Sequence, residues 1–235
     1  MAYLDPESDV LTLRVVYDGP AGAGKTTNVR VLHETLLSAR SGALCSPGST
    51  QRRTEFFDWR AFDGGFLGRH PVRIHIVAVP GQWSHRERRR LLLRSADAVC
   101  FVADASAPVA LQARMMKSLL GMQPNMAAKL VLQLNKTDLS TASSTRDFVA
   151  ELGAPPGTPV VQATAHENSG VAHTFSMATR LATSSVRDTV ANMDLHSVSV
   201  AMSMTPEELY EEIQALESLS WRGTDHDADN SWSND

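Results

Sequence analysis

The feature that most constrains this chain is a glycine-rich segment at residues 19–26, which reads Gly-Pro-Ala-Gly-Ala-Gly-Lys-Thr. It fits the phosphate-binding pattern of a glycine, four free positions and Gly-Lys-Thr, which functions only between a strand and a helix. Residues 11–17 are rich in β-branched and aromatic side chains, and residues 27–39 carry apolar side chains at helical spacing. The sequence therefore predicts strand, phosphate-binding loop and helix; the alternative is a glycine-rich turn that binds nothing.

The chemistry of such a loop follows from its backbone. Glycines let successive N–H groups curl around an anion, and the helix that follows adds partial positive charge. Lys25 would reach the β- and γ-phosphates, and the hydroxyl of Thr26 would bind Mg²⁺. The predicted phosphate contacts are Gly19, Ala21, Gly22, Ala23, Gly24, Lys25, Thr26 and Thr27.

Strands and helices alternate along the rest of the chain. Strands are predicted at residues 55–59, 72–79, 98–103 and 130–134 and from 160, and helices at 108–120, at 144–152, from 170, and in the arginine-rich segment after Gln82. This order predicts a doubly wound, mostly parallel α/β sheet that binds ligands at the carboxyl ends of its strands. The strands at 55–59 and 72–79, with a turn at residues 63–65, predict one antiparallel edge hairpin.

Composition narrows the class of protein. A formal net charge of −4 and a pI near 6.1 provide no overall basic field, so we expect no nucleic-acid partner. No apolar run approaches the length of a membrane span, and neither terminus carries a lipidation motif. Because two cysteines, Cys45 and Cys100, are too few for a disulfide framework, we expect a reducing, cytoplasmic location.

A second polar motif, Asn-Lys-Thr-Asp at residues 135–138, follows a predicted buried strand. It resembles the guanine-recognition motif of small GTPases. The resemblance implies that Asp138 accepts from the ring N–H and exocyclic amine of guanine, that Lys136 lies along the base, and that Asn135 ties this loop to the phosphate-binding loop. A site that pairs its buried hydrogen bonds rejects a ligand lacking the donors, so GTP and GDP are favoured and ATP is the distant alternative.

A third segment, Ala-Thr-Ala-His at residues 163–166, resembles the Ser-Ala-Lys motif of Ras-like proteins. In that motif the backbone N–H of the alanine contacts the guanine oxygen. The resemblance implies that Thr164 and Ala165 lie in the nucleotide site. His166 departs from the motif, because it stands where the motif has lysine.

About residues 13–181 resemble the bacterial MglA-type small GTPases of cell polarity and motility. The segments that carry the resemblance are Val-Val-Tyr-Asp-Gly-Pro before the phosphate-binding loop, Gly-Lys-Thr-Thr-Asn at its end, Arg-Thr-Glu-Phe-Phe-Asp after the first helix, and Val-Pro-Gly-Gln. The resemblance implies a Ras-like fold, a GTP/GDP switch that hydrolyses GTP with Mg²⁺, and an activating partner of the MglB roadblock type, usually a dimer. It names no effector.

The resemblance also implies catalytic roles. Thr54 would sense Mg²⁺ and the γ-phosphate, Gly81 would donate its backbone N–H to that phosphate, and Gln82 would orient the attacking water. Arg53 would be a built-in arginine finger that neutralises charge developing between the phosphates; the alternative is a solvated loop charge. These loops would display the nucleotide state to partners.

One position departs from most GTPases. Ala78 stands where an aspartate usually holds Mg²⁺ through water, three residues before Gly81; MglA-type proteins usually have threonine there. Mg²⁺ would then depend on Thr26, Thr54, the phosphates and water. We expect weakened metal binding and slow intrinsic turnover, and a nucleotide-gated binding module with little hydrolysis is the alternative function.

The sequence divides into a GTPase domain at residues 1–190, an extension at 191–222 and an acidic tail at 223–235 that we expect to be disordered. A capping box at Thr205–Glu208 predicts a short helix at about 206–219. Its apolar stripe would pack on the domain or bind a partner, and both interpretations stay open.

Overall fold

The computed structural model describes residues 2–5, 8–37, 58–67, 69–79, 86–139 and 144–192. The chain divides into two units, Met1–Ser203 and Met204–Asp235, and all of the described residues lie in the first. The predicted helix at 206–219 and tail at 223–235 lie outside the described residues, so the proposed division of the chain stays a prediction.

Seven strands of the described residues form one sheet. They are β1 (Tyr3–Leu4), β2 (Leu11–Asp18), β3 (Asp58–Leu67), β4 (His70–Ala78), β5 (Ala98–Asp104), β6 (Leu130–Asn135) and β7 (Val160–Gln162). The order across the sheet is β3-β4-β2-β5-β6-β7, with β3 antiparallel to β4 and the other neighbours in this order parallel. This confirms the predicted doubly wound, mostly parallel sheet with an antiparallel edge hairpin, and β1 adds a short antiparallel pair with β2 that the sequence did not predict.

Five α-helices occur in the described part of the chain, four between strands and the fifth after β7. They are α1 (Lys25–Leu37), α2 (Arg86–Arg94), α3 (Val109–Leu120), α4 (Thr145–Leu152) and α5 (Val171–Asn192). Local chemistry sets the ends of α4: the hydroxyl of Ser144 accepts hydrogen bonds from the first-turn amides, and Gly153 adopts the left-handed conformation that closes a helix.

The two faces of β2 pack against different helices. Leu11, Leu13 and Val15 belong to a buried apolar cluster that includes residues of α1 and α5. Since side chains alternate along a strand, Val16 and Asp18 point to the other face, where Asp18 contacts α2. A parallel strand covered on both faces is fully buried, as the burial of all eight β2 residues shows.

The predicted turn at residues 63–65 is wrong. Strand β3 continues through these residues and is interrupted there by a register shift between Asp63 and Phe66, while the chain reverses between Leu67 and His70. Gly65 has a φ of +83°, a value typical of a bulge as well as of a turn. The glycine pair therefore lies at an irregularity within β3, whereas the sequence predicted a turn between two strands there.

Candidate nucleotide-binding site

The glycine-rich loop at residues 19–24 joins the carboxyl end of β2 to the first residue of α1. Gly19, Gly22 and Gly24 all have positive φ, at 136°, 78° and 98°. Residues with a Cβ rarely adopt such values, so three glycines in six positions permit a sharp, curled backbone. This is the geometry in which backbone N–H groups converge on an anion.

Two of these glycines are also required by close packing. A Cβ on Gly19 would collide with the carbonyl oxygen of Val102 in β5, and a Cβ on Gly24 would collide with Nδ2 of Asn135. No heavy atom of the described residues lies within 4 Å of a Cβ built on Gly22, so the loop is open to ligand there.

Lys25 lies across the glycine-rich loop. Its Nζ donates hydrogen bonds to the carbonyl oxygens of Gly19 (2.8 Å) and Pro20 (2.7 Å), and the residue is only 7% exposed. Burial lowers the pKa of Lys25 from its ordinary value. The carboxylate of Asp18 partly opposes this shift and the guanidinium of Arg89 reinforces it, so that the pKa is about 8. A buried ammonium group held over an anion-binding loop is suited to phosphate.

The residue after Lys25 has the exposure that a metal ligand needs. Thr26 is exposed at the start of α1, which is compatible with its predicted role as a Mg²⁺ ligand. Ala78 is buried at the end of β4, beside Tyr17 of β2, and offers no side-chain oxygen to this edge of the sheet. No group of three or more His, Cys, Asp or Glu residues that could hold a metal occurs among the described residues.

Asn135 joins three loops at this edge. Its Nδ2 donates to the carbonyl oxygen of Ala23 in the glycine-rich loop (2.8 Å), and its Oδ1 accepts from the backbone N–H of Ala165 (2.9 Å). The loop after β2, the loop after β6 and the loop after β7 are therefore held together by one buried side chain.

The loop after β6 is tied to the loop after β7 by further hydrogen bonds. The backbone N–H and the hydroxyl of Thr137 both donate to the carbonyl oxygen of Ala163, at 3.2 and 3.1 Å. The hydroxyl of Thr164 donates to Oδ1 of Asp138 (3.3 Å), and the Asp138 residue is exposed. An exposed carboxylate oriented by a neighbouring hydroxyl is able to accept hydrogen bonds from a base.

Lys136 is held by an acidic residue that the sequence did not single out. Its backbone has a φ of +61°, and its Nζ forms an ion pair with Oδ2 of Asp104 at 2.5 Å. Burial raises the pKa of Asp104, but hydrogen bonds from Lys136 and Ser106 outweigh burial and leave the pKa below its ordinary value. The carboxylate therefore stays charged and fixes the lysine beside the predicted base site.

A buried polar network connects the glycine-rich loop to the core. Nδ2 of Asn28 donates to the carbonyl oxygen of Gly24 (2.9 Å), and Oδ1 of Asn28 accepts from Nε2 of Gln133 (2.8 Å). Nε2 of Gln133 also donates to the hydroxyl of Thr174 in α5 (3.1 Å). The loop is thus supported from below by α1, β6 and α5.

A buried ion pair lies directly before the glycine-rich loop. Both carboxylate oxygens of Asp18 accept from Arg89 of α2, Oδ1 from Nε (2.7 Å) and Oδ2 from Nη2 (2.6 Å). The Asp18 side chain is 0% exposed and that of Arg89 is 12% exposed. Sequence reasoning missed this pair, although a charged residue at the end of a fully buried strand was a signal for it.

The structure brings one group of predicted site residues together and leaves another undescribed. The residues at the common edge are Gly19, Ala21, Gly22, Ala23, Gly24, Lys25, Thr26, Thr27, Asn135, Lys136, Asp138, Thr164 and Ala165. The predicted switch and catalytic residues Arg53, Thr54, Gly81 and Gln82 lie outside the described residues. Their roles, and the nucleotide contacts of the first group, stay predictions.

A mostly parallel sheet whose first long strand leads through a glycine-rich loop into a helix, with a second polar loop tied to it by Asn135, is the architecture of a Ras-like phosphate-binding-loop protein. This is the class of the small GTPases. The chain is 30% identical over 189 residues to the mutual gliding-motility protein MglA of Myxococcus xanthus (strain DK1622), and the alignment covers 77% of this chain and 95% of MglA. The chain therefore belongs to the MglA family of small GTPases.

No model of a protein family matches the sequence. None of the described helices has the length and apolar character needed to cross a membrane.

Proposed function

We propose that this protein is a switch that alternates between GTP-bound and GDP-bound states and hydrolyses GTP with Mg²⁺. The observation that carries the proposal is the Asn135 side chain, which bonds to the glycine-rich loop and to Ala165 at once. The proposed phosphate and base sites would thereby be held at a fixed separation, as a single nucleoside phosphate requires. Membership of the MglA family supports guanine as the base.

Electrostatic attraction would hold the phosphates in the site. The triphosphate would lie on the amides of residues 19–26 and on Lys25, and Mg²⁺ would bind the hydroxyl of Thr26 and, as predicted from the sequence, that of Thr54. Bound Mg²⁺ would neutralise charge on the β- and γ-phosphates. An exposed hydroxyl at the start of a helix, next to a buried lysine, suits such a metal–phosphate group.

Hydrolysis would depend on residues predicted from the sequence. Gln82 would orient the attacking water, Gly81 would donate to the γ-phosphate, and Arg53 would neutralise charge as the bond to the leaving group breaks. We propose that a roadblock protein of the MglB type brings these residues into position through the surface formed by the loops around Thr54 and Gly81. The likeness to a gliding-motility protein supports a role in polarity or motility.

We place the protein in the cytoplasm, where GTP is available. Cys100 is a buried free thiol, which is compatible with a reducing environment. The proposal includes no nucleic-acid partner, because the sequence carries no overall basic charge.

Nucleotide binding is tested by competition for the site. Displacement of fluorescent mant-GDP by GDP, GTP and ATP should show strong preference for the guanine nucleotides, and Lys25→Ala should lose binding. Equal displacement by ATP, or undiminished binding by Lys25→Ala, would contradict the proposed site.

A second candidate is a nucleotide-gated binding module that does not hydrolyse GTP, which Ala78 favours because it supplies no oxygen for Mg²⁺. Single-turnover GTP hydrolysis, with and without an MglB-type protein, separates the two. Cleavage that the partner accelerates supports the switch. Tight GTP binding with no cleavage under either condition supports the binding module.

A further inference from the structure

The ion pair between Asp18 and Arg89 is placed where it affects bound phosphate. Asp18 is the last residue of β2 and directly precedes Gly19, the first residue of the glycine-rich loop. Its carboxylate is fully buried, and both of its oxygens accept from the guanidinium of Arg89. An acidic side chain inside this edge of the sheet is unexpected, because the ligand there is itself an anion.

The charges of the pair extend to the phosphate-binding lysine. Asp18 raises the pKa of Lys25 and Arg89 lowers it, so both charges act on the ammonium group that is proposed to hold phosphate. A phosphate bound to Lys25 would therefore experience both charges, repelled by Asp18 and attracted by Arg89. With the pair intact, the two effects largely cancel.

Breaking the pair from the side of α2 would remove this cancellation. A buried carboxylate that loses its partner is strongly destabilising, because neither water nor another charge compensates it. Asp18 would then place one unbalanced negative charge next to the phosphates. The chain supplies Arg89 from α2, so the position of this helix decides whether the charge is balanced.

We propose that the Asp18–Arg89 pair controls how long the site retains guanine nucleotide: Arg89 neutralises Asp18 beside the phosphates, and separating the two accelerates nucleotide release. Arg89 is in this sense a positioning residue, which acts on the phosphates through Asp18. The inference rests on the proposed nucleotide-binding function and adds to it a control of release by α2.

The test is a double-mutant cycle on the rate of mant-GDP release, chased with excess GDP in the presence of Mg²⁺. Arg89→Ala leaves Asp18 unpaired and should raise the release rate about tenfold or more. Asp18→Asn removes the negative charge and should release no faster than the unmodified protein. Asp18→Asn combined with Arg89→Ala should return the rate to within about threefold of the unmodified protein, because the repulsive charge is gone.

Two controls distinguish an effect of the unpaired Asp18 charge on nucleotide release from an effect of the substitution on folding. Arg90→Ala removes an exposed arginine from the same helix and should leave release unchanged. Thermal unfolding of each variant without nucleotide reports whether the fold survives. If Arg89→Ala does not fold, Arg89→Gln, which removes the positive charge and keeps a polar side chain, takes its place in the cycle and should also release nucleotide faster than the unmodified protein.

Three results would overturn the inference. These are an unchanged release rate in a folded Arg89→Ala protein, a double variant as fast as Arg89→Ala, and an Asp18→Asn protein that releases nucleotide about tenfold faster. The second result would mean that Arg89 only packs α2 against the sheet. Failure of the unmodified protein to bind mant-GDP is a different outcome, which would refute the proposed function itself.

Discussion

Asp138 is the residue on which we expect the choice of base to depend. A carboxylate offers two acceptors, which match the ring N–H and exocyclic amine of guanine, whereas an asparagine offers one acceptor and one donor. Asp138→Asn should therefore weaken GDP binding about a hundredfold and favour xanthosine diphosphate, whose base presents a carbonyl in place of the amine. Competition of the two nucleotides against mant-GDP measures the change.

The matched control is Asp147→Asn, which makes the same change at an exposed position on α4. It should bind GDP as the unmodified protein does. If Asp138→Asn also keeps full preference for GDP, then Asp138 does not read the base.

Lys25 should make nucleotide affinity depend on pH. Its pKa is about 8, and we expect only the protonated form to bind phosphate strongly. Below this pKa the affinity for GDP should be constant. Above it the lysine must take up a proton on binding, so the dissociation constant should rise toward tenfold per pH unit. Titrations with mant-GDP between pH 6.5 and 9 test this.

Lys25→Arg serves as the reference, since a guanidinium stays charged throughout this range. Whatever its absolute affinity, its dissociation constant should not rise between pH 8 and 9. An equally flat profile for the unmodified protein would show that Lys25 does not titrate where burial places it.

His75 should make the folded protein sensitive to acid. Burial, reinforced by the cationic Arg14 and Arg73, lowers its pKa from 6.5 to about 3. Between these two values the unfolded chain binds a proton that the folded chain does not, so stability is complete above pH 6.5 and falls as the pH drops toward 3. The expected loss from this residue is about 1 kcal/mol per pH unit below about pH 6.

Urea unfolding at pH 7 and pH 5 measures that loss. His75→Asn should reduce the difference between the two pH values, whereas His173→Gln, at an exposed position on α5, should leave it unchanged. A difference that persists in full in His75→Asn would assign the acid sensitivity to other groups.

At the scale of elements, the glycine-rich loop depends on Gly24 more than on Gly22. Alanine at either position is strained by positive φ, at a cost of about 1 to 2 kcal/mol. Only at Gly24 does the added Cβ also displace Asn135, which would lose its hydrogen bond to Ala23. Gly24→Ala should therefore lower the free energy of unfolding of the nucleotide-free protein by about 1 kcal/mol more than Gly22→Ala.

Urea unfolding of the two variants provides the comparison, and each is the control for the other because both carry the same added methyl group. Equal losses would mean that the Asn135 bridge contributes nothing to holding the loop.

Elements were predictable from the sequence where periodicity and local end signals agreed. Strands β2, β5 and β6 lie where runs rich in apolar or β-branched residues predicted them. Helix α4 (Thr145–Leu152), flanked by its caps Ser144 and Gly153, lies where a helix was predicted at residues 144–152. The hairpin turn was misplaced because two glycines permit a bulge as readily as a turn, and only pairing with β4 decides between them.

At the scale of the whole molecule, the motifs predicted which loops meet but not the partners that hold them. Asp18 with Arg89 and Asp104 with Lys136 are separated by 71 and 32 residues, and neither follows a spacing rule. Such pairs arise from the order of strands in the sheet, which places the ends of distant segments side by side. The sequence alone predicted the loops of the candidate site but not the charged pairs that hold them.

Ala78 is the position at which we expect metal binding, nucleotide hydrolysis and the stability of the domain to depend on one another. It is 3% exposed, so Ala78→Asp would bury a carboxylate at the end of β4. Without Mg²⁺ this charge has no compensation and should lower the free energy of unfolding by about 2 kcal/mol or more. With Mg²⁺ and GTP bound, the new carboxylate should gain a cation nearby, so that the loss becomes smaller and less Mg²⁺ is needed for hydrolysis.

Ala78→Asn is the matched control, because it has the same shape without the charge. Thermal unfolding and single-turnover GTP hydrolysis, each over a range of Mg²⁺ concentrations, should show a metal-dependent recovery for the aspartate variant and none for the asparagine variant. If both variants respond alike, the position does not act on the metal. In that case the slow turnover expected of this protein would have another cause, and the positions of Arg53 and Gln82 would be the next to test.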